Sequence, residues 1–138
     1  LDAENEVQPD LAAWVEGRKV HHSQEGYLEG APELVIEIAV SSASYDLYEK
    51  LRVYRRNGIQ EYIVWRVLDQ KIDWFELKDG EYVPFMPDVS GVIKSKVFPG
   101  LWLVVNDLLN GDLAKVLAKL NEGLTAEEHK DFAQKLNG

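Results

Sequence analysis

The rhythm of apolar and polar positions changes several times along this chain, and each change marks an element. Residues 9–15 (Pro9, Asp10, Leu11, Ala12, Ala13, Trp14, Val15) read as a short strand after a polar lead-in. A loop carrying Gly17, Gly26 and Gly30 follows. Leu34 to Val40 is apolar on both faces and β-branched, which predicts a central strand covered on both sides. Ser41 and Ser42 break it, and Ser44 predicts the N-cap of a helix over about 45–57. Leu47, Leu51 and Tyr54 form that helix's buried stripe, and Asn57-Gly58 ends it.

The second half opens with strands. Tyr62–Val67 and Lys71–Leu77 are joined by Leu68, Asp69 and Gln70, and Asp79-Gly80 predicts a hairpin into a short strand, Glu81–Phe85. Pro84 and Pro87 make that strand an edge. Val97–Val105 reads as one more extended piece, interrupted by Pro99-Gly100. Asn106 or Asp112 caps a helix carrying Leu113, Val116, Leu117 and Leu120, closed by Gly123. Thr125 with Glu128 forms a capping-box pattern for a last helix through about Leu136.

A chain of 138 residues is one domain's length, and its composition is that of a globular protein. It has no cysteine, which excludes disulfides and thiolate metal sites and suits the reducing cytoplasm. No apolar run approaches the roughly 18 residues of a membrane span, so no membrane partner is expected. The chain opens on Leu1 rather than Met, which suggests that an amino-terminal piece is missing. A net charge of −9 argues against a sequence-independent nucleic-acid coat, because phosphate neutralisation needs cations. It leaves room for a metal enzyme, whose site needs carboxylates.

Glu37 is the anomaly, a carboxylate in the middle of the most apolar strand. Alternation sets Leu34, Ile36, Ile38 and Val40 on one face and Val35, Glu37 and Ala39 on the other. A bare carboxylate in a dry interior costs several kcal/mol, so Glu37 needs a cation, a proton or an open cleft. The bland alternative is a strand end near solvent, with Glu37 paired to a surface cation. Asp10 is a plausible companion at the mouth of another strand, since strands about 4.8 Å apart let two carboxylates share one divalent ion. Its alternative is a turn carboxylate after proline. Glu33 competes with Asp10 but lies on Glu37's own strand, about 13 Å away. Lys50 borders the apolar stripe of the following helix; its alternative is an i,i+4 pair with Asp46.

Other features carry less. His21, His22 and Glu25 invite a zinc reading, but adjacent histidines in a glycine-containing loop read as solvated. Tyr62, Trp65, Trp74 and Phe75 alternate along strands and read as core or interface. Arg52, Arg55 and Arg56, on the outer face of the Lys50 helix, are the compact basic cluster and the candidate phosphate contacts, or simply a solvated face. No phosphate loop, dinucleotide fingerprint or Ser-His-Asp set is present.

The order Pro9-Asp10, Pro32-Glu33-Leu34-Val35-Ile36-Glu37, Ser41-Ser42-Ala43-Ser44-Tyr45-Asp46, Glu49-Lys50-Leu51 and Tyr54 is distinctive. It continues with Asn57-Gly58-Ile59-Gln60-Glu61-Tyr62 and Phe98-Pro99-Gly100-Leu101. Together these resemble the "putative restriction endonuclease" family of bacterial proteins, within the PD-(D/E)XK nuclease superfamily, over roughly residues 7–120. The resemblance implies an α/β fold of the α+β type: a restriction-endonuclease-like mixed β-sheet flanked by helices, with an added β-meander and C-terminal helices. It implies a single domain over 1–138 that lacks its amino-terminal helix and strands, and so leaves an open edge near 9–15, with a second copy (a homodimer) as one candidate cover. It also implies Asp10 and Glu37 as ligands of Mg²⁺ or Mn²⁺, and DNA as the substrate. The superfamily's usual lysine falls where this chain has Ala39; Lys50, on the next helix, matches the displaced one. The expected activity is a metal-dependent endonuclease; the alternative is a binding or assembly domain that keeps the fold without turnover.

Overall fold

The computed structural model describes residues 10–15, 21–22, 28–40 and 43–137. The chain divides into two compact units, Leu1–Phe85 and Met86–Gly138. In the first, β1 (Leu11–Ala13), β4 (Leu34–Ala39), β5 (Glu61–Arg66), β6 (Lys71–Lys78) and β7 (Glu81–Pro84) form one sheet in the order β1-β4-β5-β6-β7. A separate short pair joins β2 (His21–His22) to β3 (Leu28–Glu29), so the histidines fall on a strand rather than in an open loop. Gly17, Gly26 and Glu25 lie outside the described residues. Among the described strands of this sheet only β4 and β5 run parallel, with Glu37 beside Val64; the other neighbours are antiparallel. The sheet is therefore mixed, as expected. A parallel pair needs a long crossover, and α1 (Ala43–Arg56) supplies it.

Helix α1 begins earlier than expected: Ser44 lies in its first turn and is not the cap, while residues 41–42 are outside the described set. Its end is a Schellman motif. The Gly58 N–H donates to the Arg55 carbonyl (3.0 Å) and the Ile59 N–H to that of Tyr54 (3.2 Å), with Gly58 at φ +74°. The accompanying apolar contact is made by Ile59 and Tyr54, both fully buried with Val35, Tyr62 and Val64 in the core between helix and sheet. Tyr62 meets Tyr54 edge-on at 5.0 Å and stacks on Phe75 at 6.0 Å, so these aromatics are core, as expected, along with the buried Trp74.

The two faces of β4 are covered unequally. Val35 and Glu37 are buried on the α1 face; on the other, Leu34 is buried as expected, but exposure grows along the strand to 40% at Ile38 and 61% at Val40. Among the described residues α1 is the first unit's one helix, and it covers one face. Strand β1 is the sheet's margin, with β4 as its partner among the described residues. The Asp79-Gly80 turn has both φ values positive (51° and 79°), as a two-residue I′ hairpin requires. Strand β7 is the opposite edge, where Pro84 is tolerated for want of an N–H.

In the second unit β8 (Val92–Lys94) pairs with β9 (Trp102–Val104), and α2 (Val105–Leu109), α3 (Leu113–Leu124) and α4 (Glu127–Asn137) follow. Strand β8 was not expected, and the extended piece at 97–105 shrinks to β9. Asp112 caps α3 by accepting from the Lys115 N–H at 3.2 Å, and α2 precedes it as a separate turn. Gly123 does not close α3. It is buried inside the helix, where a Cβ would stand 2.3 Å from the Gly100 carbonyl oxygen. Thr125 is the C-cap of α3, its hydroxyl donating to the Glu122 carbonyl, and not the start of a capping box. No described helix is long and apolar enough to cross a membrane.

Candidate active site

The register Leu11↔Ile36, carried one residue further, sets Asp10 opposite Glu37 on adjacent strands. Asp10 Oδ2 accepts the Ile38 N–H at 2.7 Å, which fixes its carboxylate beside the second half of β4. From above, α1 runs back across the sheet and lowers two side chains, one turn apart, onto Glu37. Lys50 Nζ donates to Oε2 at 3.0 Å, and the Tyr54 hydroxyl makes a short hydrogen bond to Oε1. Glu37 is 4% exposed, while the Lys50 side chain is 33% exposed and reaches in from the solvent margin.

Burial pushes the Glu37 carboxyl above the usual carboxylate range and Asp10's negative charge adds to the rise, while the Tyr54 and Lys50 hydrogen bonds and the Lys50 charge oppose it. Tyr54 is held far above an ordinary phenol, by burial first and then by its bond to Glu37, so it stays protonated and remains a donor. The result is a carboxylate with both oxygens satisfied and a second carboxylate alongside.

The arrangement fits a hard divalent cation. Each carboxylate oxygen carries two lone pairs, so one accepted hydrogen bond leaves room for a metal contact. Two carboxylates completed by water and phosphate oxygens suit Mg²⁺ or Mn²⁺. Among the described residues no three His, Cys, Asp or Glu side chains cluster, so Asp10 and Glu37 would be the protein's share of such a site.

The remaining candidates separate from it. Glu33 is buried and accepts the Val15 N–H at 3.1 Å, clamping the end of β1. Arg55 is tied to Glu81 on β7 at 2.9 Å. Arg52 and Arg56 are exposed, and Arg52, two residues from both Lys50 and Tyr54, projects from the other side of α1. Spaced three and four apart, the three arginines share the side of α1 turned away from Lys50 and Tyr54, and so away from Glu37. Tyr54 was read from sequence as core alone. Its i,i+4 spacing from Lys50 was the available signal, since a buried tyrosine hydroxyl seeks a partner.

A family model named Uma2, described as "Putative restriction endonuclease", matches residues 1–106. The chain belongs to the Uma2 family. Its mixed sheet with a crossover helix is accordingly restriction-endonuclease-like. No curated protein matches the chain. Within the Uma2 match lie Asp10, Glu37, Lys50 and Tyr54, together with all of the first unit's described strands.

Proposed function

We propose that this Uma2 chain is a metal-dependent endonuclease that hydrolyses phosphodiester bonds in DNA. The observation that carries the reading is the meeting of Asp10, Glu37 and Lys50 on one side of the sheet, with Lys50 Nζ 3.0 Å from the Glu37 carboxylate. Asp10 and Glu37 would hold Mg²⁺ or Mn²⁺. Such an ion, when bound, supplies Lewis acidity toward a phosphoryl oxygen and lowers the pKa of water. Lys50 orients the attacking water through its free ammonium hydrogens and offsets negative charge developing on the phosphoryl group. Tyr54 fixes the Glu37 carboxylate through its hydrogen bond to Oε1. Burial beneath α1 strengthens each of these contacts by lowering the local dielectric.

Two observations favour the second reading, a non-catalytic binding domain on the same fold. Ala39 stands where the superfamily's usual lysine falls, and the whole chain carries a net charge of −9. A supercoiled-DNA nicking assay with Mg²⁺ or Mn²⁺, run beside a metal titration, separates the two. Nicking should require the ion and vanish in Glu37→Gln and in Lys50→Ala. Ion binding without nicking at any metal concentration would sink the catalytic reading and leave the binding one.

A further inference from the structure

We infer that Arg66 and Lys71 continue the site as a phosphate-contacting surface for the DNA backbone, replacing the helix arginines that the sequence suggested; the inference rests on the nuclease reading above. Strand register carries it. Glu37, Val64 and Asp73 form one row across β4, β5 and β6, and the next row is Ala39, Arg66 and Lys71. Residues paired across strands share a face, as do residues two apart along one strand. Arg66 and Lys71 therefore stand on the face that carries Glu37 and α1. Strand spacing and rise put the Arg66 Cα about 8 Å from that of Glu37.

The guanidinium of Arg66 is pre-oriented. Its Nε lies 2.7 Å from Asp73 Oδ2, its Nη2 donates to Asp73 Oδ1 at 3.2 Å, and its Nη1 is 3.5 Å from Asp69. The Nη2 hydrogen bond and the close ionic contact at Nε hold the guanidinium against Asp73 and leave donors over for an outside anion. The side chain is 24% exposed, enough to be reached, and Lys71 beside it is exposed.

Charge then explains how a strongly acidic chain could take a polyanion. The described side chains of this patch are three cations (Lys50, Arg66, Lys71) against four carboxylates (Asp10, Glu37, Asp69, Asp73), a net negative surface. One divalent ion between Asp10 and Glu37 reverses the sign. Phosphate attraction is therefore coupled to the ion, and DNA should bind well only when a divalent cation is present.

The test is the salt dependence of binding to a labelled DNA duplex, read by fluorescence anisotropy in Ca²⁺. Each phosphate contact contributes about one unit to the slope of log K against log salt. Lys71→Gln should reduce the slope by about one, and so should Arg66→Gln made together with Asp73→Asn, which avoids stranding the aspartate. Arg52→Gln and Arg56→Gln should leave it unchanged, and withdrawing Ca²⁺ should weaken binding in the parent. Unchanged slopes at Arg66 and Lys71 overturn the inference, as does a parent that binds no DNA. Failure of the nuclease reading looks different: the slopes change as expected, but no Mg²⁺-dependent nicking occurs. Nicking with unchanged slopes keeps the enzyme and removes this surface.

Discussion

Glu37 sits between two donors of different strength of hold: Tyr54 is sealed in the core, whereas Lys50 can swing to water. A glutamine there can still face both, its oxygen toward Lys50 and its amide toward the phenol oxygen. It also sheds the cost of a buried charge. Glu37→Gln should therefore keep metal-free stability within about 1 kcal/mol of the parent, far from the 3–5 kcal/mol lost when a fully buried cation is stranded. The two proteins should differ in pH response. A carboxyl with a raised folded pKa takes up a proton in the native state before the unfolded one, so acidification through that range favours the fold. Denaturant melts from about pH 7 to about pH 5 should show the parent gaining stability relative to Glu37→Gln. Tyr54→Phe strips a donor from a buried carboxylate and should cost about 1–3 kcal/mol in the same melts. It should also move the parent's acid-side gain to higher pH, because the Tyr54 bond holds the Glu37 pKa down.

Helix α1 was legible as an element because its apolar stripe, its Asn57-Gly58 stop and the strands around it agree. The helices of the second unit were legible only in part. Leucine periodicity located α3, but it could not separate α2 from it or assign Gly123, which looks like a terminator in one dimension. In three dimensions that glycine lets α3 approach the Gly100 turn and Trp102 closely. Gly123→Ala should accordingly destabilise the protein by about 1–3 kcal/mol, the range for overpacking a tight contact, although alanine is the better helix former. A denaturant melt that shows alanine neutral or stabilising at 123 would refute this packing role. Gly111 (φ +77°) has open space around it, so any cost of alanine there comes from backbone strain.

For the molecule as a whole, folding and ion binding should be linked. The charge of −9 is concentrated unevenly: the Met86–Gly138 unit holds seven acidic and six basic residues, so the Leu1–Phe85 unit carries nearly all of the excess. An ion bound by the native Asp10–Glu37 pair and not by the unfolded chain adds stability by mass action, about 2.7 kcal/mol at a hundredfold excess over Kd. Mn²⁺ should raise the Tm of the parent and leave that of Glu37→Gln nearly unmoved. Equal shifts in both would place the ion elsewhere on the acidic surface.

What the sequence determined by itself was local or periodic: the apolar run of β4 with one carboxylate in it, the Asp79-Gly80 hairpin turn, the Asn57-Gly58 stop of α1, and the order of motifs that marks the family. What only the tertiary structure decided depends on neighbours far apart in the chain. Strand register set Asp10 opposite Glu37 and Arg66 beside Ala39. The path of α1 across the sheet brought Lys50 and Tyr54 onto one carboxylate and Arg55 onto Glu81 of β7. Periodicity reports which face a residue occupies within its own element. Which other element that face meets is set by the long-range packing of the whole sheet.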